Sequence, residues 1–154
     1  MRTKKPNFRP QFLRLLRAVR RYAKKVRLMD KAKIKKMLAA GERFSVTTDE
    51  YTSTQNKRFS AVSLHPRKGR PIKIGMIRIR GSLPGKRAAS ELKEKLNEYS
   101  INDDNHLVAN TTDGASMMKT MGREFLALHQ LCHSHGIHLA GKNILKIFYP
   151  NFYL

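Results

Sequence analysis

The sequence predicts a mixed α/β fold, an α+β mixed sheet of about five strands in the order β-β-β-α-β-α-β-α, preceded by a basic amphipathic helix. Three observations predict it. Apolar residues recur at three- and four-residue spacing from Phe12 to Leu38. Three strand-like runs follow one another between residues 43 and 80, with turn-forming residues between them. Beyond residue 85 helical and strand-like runs alternate to the end. Hairpins followed by alternation imply a mixed sheet whose last strands run parallel to the first.

The elements are justified in chain order. Pro10 suits a first helical position, and Phe12, Leu15, Leu16, Val19, Tyr22, Ala23, Val26 and Met29 line one helical stripe. The same period continues through Ile34, Met37 and Leu38, and Gly41 follows where a glycine can close a helix. Arg43–Thr48 (RFSVTT) and Arg58–Leu64 (RFSAVSL) are strand candidates joined by the polar loop Thr52–Lys57, as in a hairpin. Ile72–Arg80 (IKIGMIRIR) alternates apolar and basic residues through Ile72, Ile74, Met76 or Ile77, and Ile79. Ala88–Tyr99 carries Ala88, Ala89, Leu92, Leu96 and Tyr99 on one helical stripe. His106–Thr112 (HLVANTT) is a fourth strand, Met117–Phe125 a short helix, Leu126–Cys132 a fifth strand and Ile137–Phe148 a last helix.

Charge divides the chain in two. Of its 154 residues, 32 are Lys or Arg and 11 are Asp or Glu, a net charge of +21. Residues 1–40 hold 15 of the basic residues and one acid, Asp30, which defines a basic helical arm of net +14. Residues 41–154 carry +7 and form the sheet domain. Such a charge suits polyanionic partners, whether DNA, RNA or an acidic membrane face. Arg14, Arg17, Arg20, Arg21, Lys24 and Lys25 are the candidate nucleic-acid-binding residues. The same helix could instead pack its stripe on the domain beneath a solvated basic face, or dock on a partner.

Several classes are set aside. No apolar run approaches the roughly 20 residues that cross a bilayer, and a membrane partner is disfavoured. Met1–Pro10 leads into an arginine-studded stretch rather than the apolar core of a signal peptide. Serine is absent from the arm and lysines are frequent, which argues against a mitochondrial presequence. A single cysteine, Cys132, excludes an intrachain disulfide framework and suits a reducing compartment. An intracellular, unsecreted protein is expected.

The candidate chemistry lies in two repeated tripeptides. Thr47-Thr48-Asp49 and Thr111-Thr112-Asp113 each follow an apolar strand, so both aspartates fall at strand ends. If those strands are parallel neighbours, the carboxylates meet at the C-terminal sheet edge, where α/β sheets commonly hold ligands. Paired carboxylates are oxygen ligands suited to Mg²⁺ or Mn²⁺. The plainer alternative makes Asp49 a turn cap and Asp113-Gly114 a turn or helix start. Cys132-x-x-His135, within a group that includes His129, His133 and His138, has zinc-ligand spacing. A structural zinc needs about four ligands and no second Cys/His pair completes the set, so zinc is not expected. A packed or hydrogen-bonded role beside the sheet edge is expected instead, since only proximity supports a Cys-His hydrolase.

At these residues the chain resembles a known family. FSVTTDEYTS (Phe44–Ser53), HLVANTTDGASMMKTMG (His106–Gly122) and LCHSHGIHLA (Leu131–Ala140) are similar, in order, to three motifs of the catalytic domain of hAT-superfamily transposases. The resemblance covers roughly residues 30–148. It implies a ribonuclease H-like fold, with Asp49 and Asp113 as catalytic and metal-holding residues and Cys132 and His135 as the supporting Cys-x-x-His pair. It implies DNA as partner, a nuclear location and a triad completed by a late glutamate beyond a helical insertion. The sequence departs from that pattern. Glu124 is the one acid after Asp113 and precedes Cys132, the sequence ends at Leu154 near where the insertion would begin, and Tyr51 stands where tryptophan is commoner. No DNA-end-binding zinc finger precedes the domain. The expectation is a transposase-derived fragment with two of three carboxylates, unable to cleave or join strands alone.

Two other readings compete. One is a non-enzymatic nucleic-acid-binding module acting through the arm. The other is a partner-dependent fragment, which engages a protein through the arm's apolar stripe or the aromatic tail Phe148–Leu154.

Overall fold

A computed structural model of the chain describes residues 9–81 and 84–148. Helix α1 (Arg9–Ala39) spans 31 residues, about 46 Å at 1.5 Å per residue. No glycine or proline interrupts it after Pro10. Gly41, at φ +75°, donates its N–H to Leu38 O at 2.9 Å while Glu42 N reaches Met37 O at 3.0 Å. Those are the two bonds of a Schellman cap, which a left-handed glycine makes without strain. The last turns of α1 belong to the core, with Ile34 fully buried and Met37 and Leu38 packed beside it.

Strands β1 (Phe44–Thr52), β2 (Arg58–Pro66) and β3 (Ile72–Ile79) form an antiparallel meander. The β1–β2 loop is closed by Ser53 N to Lys57 O at 2.8 Å, with Asn56 in the left-handed region at φ +57°. In β3 the register shifts beside Gly75, whose φ of +126° suits glycine alone. That bulge settles the ambiguous alternation, leaving Met76 exposed while Ile79 is buried and Ile77 half-buried.

Helix α2 (Gly85–Asn97) buries Ala88, Ala89, Leu92 and Leu96, the stripe that its spacing predicts. Tyr99 lies just past its end, buried, with its hydroxyl donating to Ile74 O at 2.9 Å. A single turn, α3 (Asp103–His106), then precedes strand β4 (Leu107–Thr112). Asn102 caps that turn by accepting from Asp104 N at 2.8 Å. Helix α4 (Ser116–Arg123), strand β5 (Leu128–Leu131) and helix α5 (His133–Phe148) complete the described chain.

The sheet order is β3-β2-β1-β4-β5. Strand β4 runs parallel to β1, and β5 parallel to β4, so the mixed sheet expected from the sequence is present. Helices α2, α4 and the end of α1 supply core residues that pack with Phe44, Val46, Val62, Leu64, Ile74 and Leu107 of the sheet. Helix α5 buries no residue. Among the described residues no helix is long and apolar enough to cross a membrane. The aromatic tail beyond Phe148 lies outside the described residues.

Three boundaries differ from the sequence reading. Strand β1 does not stop at Thr48 but continues to Thr52, opposite β2, so Asp49 lies within the strand and faces Ala61. Strand β5 is confined to Leu128–Leu131, and α5 starts at His133 rather than Ile137.

Candidate functional site

Three parallel strands bring the candidate residues into one row. Thr48 of β1 pairs with Thr112 of β4, and Thr112 pairs with Leu131 of β5. The next residues are therefore Asp49, Asp113 and Cys132, side by side where the parallel ladder ends. Side chains alternate along a strand. Thr48 and Thr112 point into the core and are buried, which sends Asp49 and Asp113 to the opposite face together with Thr47 and Thr111. The expectation that both aspartates lie at strand ends needs one correction. Asp113 does, but Asp49 has left only its parallel partner and stays in register with β2.

Local bonds hold this row. Asp113 Oδ1 accepts from Ala115 N at 3.1 Å, so the aspartate also makes the turn that leads into α4. Cys132 N donates to Thr112 O at 2.8 Å, and Cys132 O accepts from Gly136 N at 3.2 Å as α5 begins. That first turn carries His135 over the edge. Thr47, Asp49, Thr111, Asp113, Cys132, Ser134, His135 and His138 line one cleft of about 440 Å³. The sequence reading named both aspartates, Cys132 and His135. It missed Ser134, and it read the threonines only as strand residues, since a hydroxyl's place on a face appears only once register is known.

Histidines support the row from elsewhere. His129 Nε2 lies 2.9 Å from Thr112 Oγ1, and its ring packs so closely on Gly122 that a Cβ there would overlap it. Burial pushes the His129 imidazole below its ordinary pKa, and the nearby Arg123 charge adds to the effect. His129 is thus a packed, hydrogen-bonded residue behind the edge. On the cleft side of β1, Thr47 Oγ1 lies 2.9 Å from His65 Nε2, a pairing across 18 residues that spacing does not signal.

The donor set can be judged by its chemistry. Two carboxylates beside two threonine hydroxyls form a hard oxygen set, which fits Mg²⁺ or Mn²⁺. No three His, Cys, Asp or Glu side chains converge as a metal cage among the described residues. Cys132 and His135 lie in the same cleft without forming one.

The arm is open to solvent. Arg14, Arg17, Arg20, Arg21, Lys24 and Lys25 are all exposed, on a part of α1 that extends away from the core. Its apolar stripe is exposed there too, at Phe12, Leu15, Val19, Tyr22 and Met29. Toward its C-terminal half the helix lies against the domain: Val26 and Asp30 line a groove with β3 and α2, Arg27 is ion-paired with Glu98, and Ile34, Met37 and Leu38 join the core. Comparison with known proteins adds no relative, since neither a family model nor a curated protein matches this chain.

Proposed function

We propose that the chain is a DNA-binding protein of the hAT transposase type, with a ribonuclease H-like domain that holds a divalent cation between Asp49 and Asp113. The observation that carries this reading is the row Asp49–Asp113–Cys132 at the end of three parallel strands. Three motifs far apart in sequence meet in one cleft, in the order the resemblance requires. A central strand antiparallel to one neighbour and parallel to the other supports the fold assignment. A bound Mg²⁺ would polarise a phosphodiester oxygen at this edge. The protein's own part is to orient two carboxylates by strand register, to fix Asp113 through Ala115 N, and to draw the polyanion in with α1. Two carboxylates in the cleft give weak metal binding and, for these 154 residues, no strand cleavage.

A second reading is favoured by one observation, the cationic face of α1 exposed along its free length. There the arm alone binds nucleic acid and the cleft plays no part.

Fluorescence anisotropy with a labelled DNA duplex over a salt series tests the polyanion claim. Binding should weaken steeply with salt, and changing Arg17, Arg20, Arg21 and Lys24 together to Gln should lower the log–log slope by up to about 3.6. Salt-insensitive binding, or an unchanged slope in the variant, would refute it. Plasmid nicking that needs magnesium and vanishes in Asp49→Ala and Asp113→Ala would overturn the prediction of no cleavage.

A further inference from the structure

The antiparallel half of the sheet has two faces, and one of them is bare. In β1, β2 and β3 every buried side chain lies on the core face, and no residue of the other face is buried. The bulge at Gly75 decides what that open face carries. Strict alternation would turn Ile77 and Ile79 outward with Lys73. The extra residue instead sends both inward with Ile72 and Ile74, and brings Lys73, Met76 and Arg78 to the open side.

Register then assembles a patch. Phe59 lies opposite Tyr51 on one side and Arg78 on the other, while Ala61 lies opposite Asp49 and Met76. The Tyr51 and Phe59 rings stack, with centroids 5.5 Å apart and planes 19° from parallel. The Tyr51 hydroxyl reaches across β2 and donates to Met76 Sδ at 2.9 Å. Tyr51 and Met76 are 42% and 56% exposed. Strand β4 ends at Thr112, opposite Thr48, so among the described residues no strand flanks Tyr51 on its other side.

The chemistry of the patch identifies its occupant. Lys73 and Arg78 make no ion pair among the described residues. Asp49 is the one acid on this face of the three strands, since Glu50 alternates to the other side, where it holds Arg58 at 2.5 Å. A cross-strand aromatic pair steadies a hairpin wherever it stands. A bare surface of two rings and a thioether beside uncommitted cations also matches a strand whose bases are unpaired. Bases of any identity stack on aromatic rings, and cations beside the rings track the phosphates. A duplex keeps its bases stacked inside and cannot use the rings. Lys73 also lines the groove of about 380 Å³ beside Tyr22 and Val26, so the patch adjoins the arm, and Asp49 joins it to the carboxylate cleft.

We propose that this face is a stacking platform for single-stranded DNA, with bases against Tyr51, Phe59 and Met76 and phosphates on Arg78 and Lys73. That the strand is DNA rests on the function proposed above, whereas the platform itself does not need the cation site.

Fluorescence anisotropy in EDTA, with labelled oligothymidylate of about 12 nucleotides, tests it. The full chain should bind this probe about fivefold or more tighter than an abasic strand of equal length. Tyr51→Leu should remove most of that advantage and leave the salt slope and duplex binding unchanged, because it alters no charge. Arg78→Gln should lower the log–log slope by about 0.7 and keep the advantage. Asp49→Asn should bind the probe no more weakly, which separates loss of the cation site from loss of the platform. In the wild type, photocrosslinking through 5-iodouracil should label Tyr51, Phe59 or Met76. Equal affinity for the oligothymidylate and abasic strands overturns the proposal, as do crosslinks confined to α1. A Tyr51→Leu chain that loses both strands alike would reduce the aromatic pair to a hairpin support and overturn it too. Tighter binding of oligouridylate than of oligothymidylate would overturn the assignment to DNA and give the face to RNA.

Discussion

Thr48 and Thr112 stand next to the two aspartates and point the other way, and their surroundings differ. Thr112 Oγ1 is bonded to His129, whereas Thr48 Oγ1 and Ser60 Oγ are buried without a partner among the described residues. Both line a cavity of about 10 Å³ beneath β1 and β2. An unpaired buried hydroxyl costs stability, and an isosteric methyl group removes that cost. Thr48→Val should raise unfolding stability by about 1 kcal/mol in urea titrations, and a loss of that size would contradict the assignment. His129 sets a pH dependence. Its folded-state pKa lies below the ordinary 6.5, so the unfolded chain binds its proton first as pH falls. Stability should be fully present above about pH 6.5 and decline below it. Denaturation series in the wild type and in His129→Gln check this, since the decline should shrink in the variant.

At the level of elements, the sequence was legible wherever burial imposed a period. The stripe of α2 and the last turns of α1, Ile34, Met37 and Leu38, follow the helical repeat, and Gly41 closes α1 where its place after Leu38 suggested. Strand β1 reads short in the sequence because its run of strand-like residues gives way to the acidic pair Asp49-Glu50 after Thr48. Hydrogen bonding to β2 carries the strand four residues further, over the polar stretch Asp49–Thr52. The carboxylate pair was legible as two similar tripeptides, but their meeting depended on β1 and β4 being parallel neighbours, which no local pattern encodes. The start of α5 was missed because His133–Gly136 has no apolar repeat, and the turn α3 because Asn102 forms it through a single cap. Docking of α1 can be checked separately. Ile34→Ala should cost about 2–4 kcal/mol, because Ile34 is fully buried between helix and sheet. A change below about 0.5 kcal/mol in chemical unfolding would mean that α1 is not part of the core.

For the whole molecule, the division of charge and the division of structure coincide in the main. The exposed part of α1 carries Arg14, Arg17, Arg20, Arg21, Lys24 and Lys25, while Asp49 and Asp113 lie on the sheet face opposite buried Thr48 and Thr112, on strands held in register by the core. A polyanion drawn in by the arm meets the cleft only if the carboxylates can tolerate its phosphates, and a divalent cation supplies that tolerance. The central claim is therefore that Asp49 and Asp113 form one cation site. Titrating Mg²⁺ into the ¹⁵N-labelled chain, wild type and Asp49→Asn, tests it most directly. The account predicts saturable amide shifts confined to residues 47–49, 111–115 and 132–135, abolished in Asp49→Asn. A well-dispersed wild-type spectrum that millimolar magnesium leaves unmoved would contradict it and leave α1 as the seat of function.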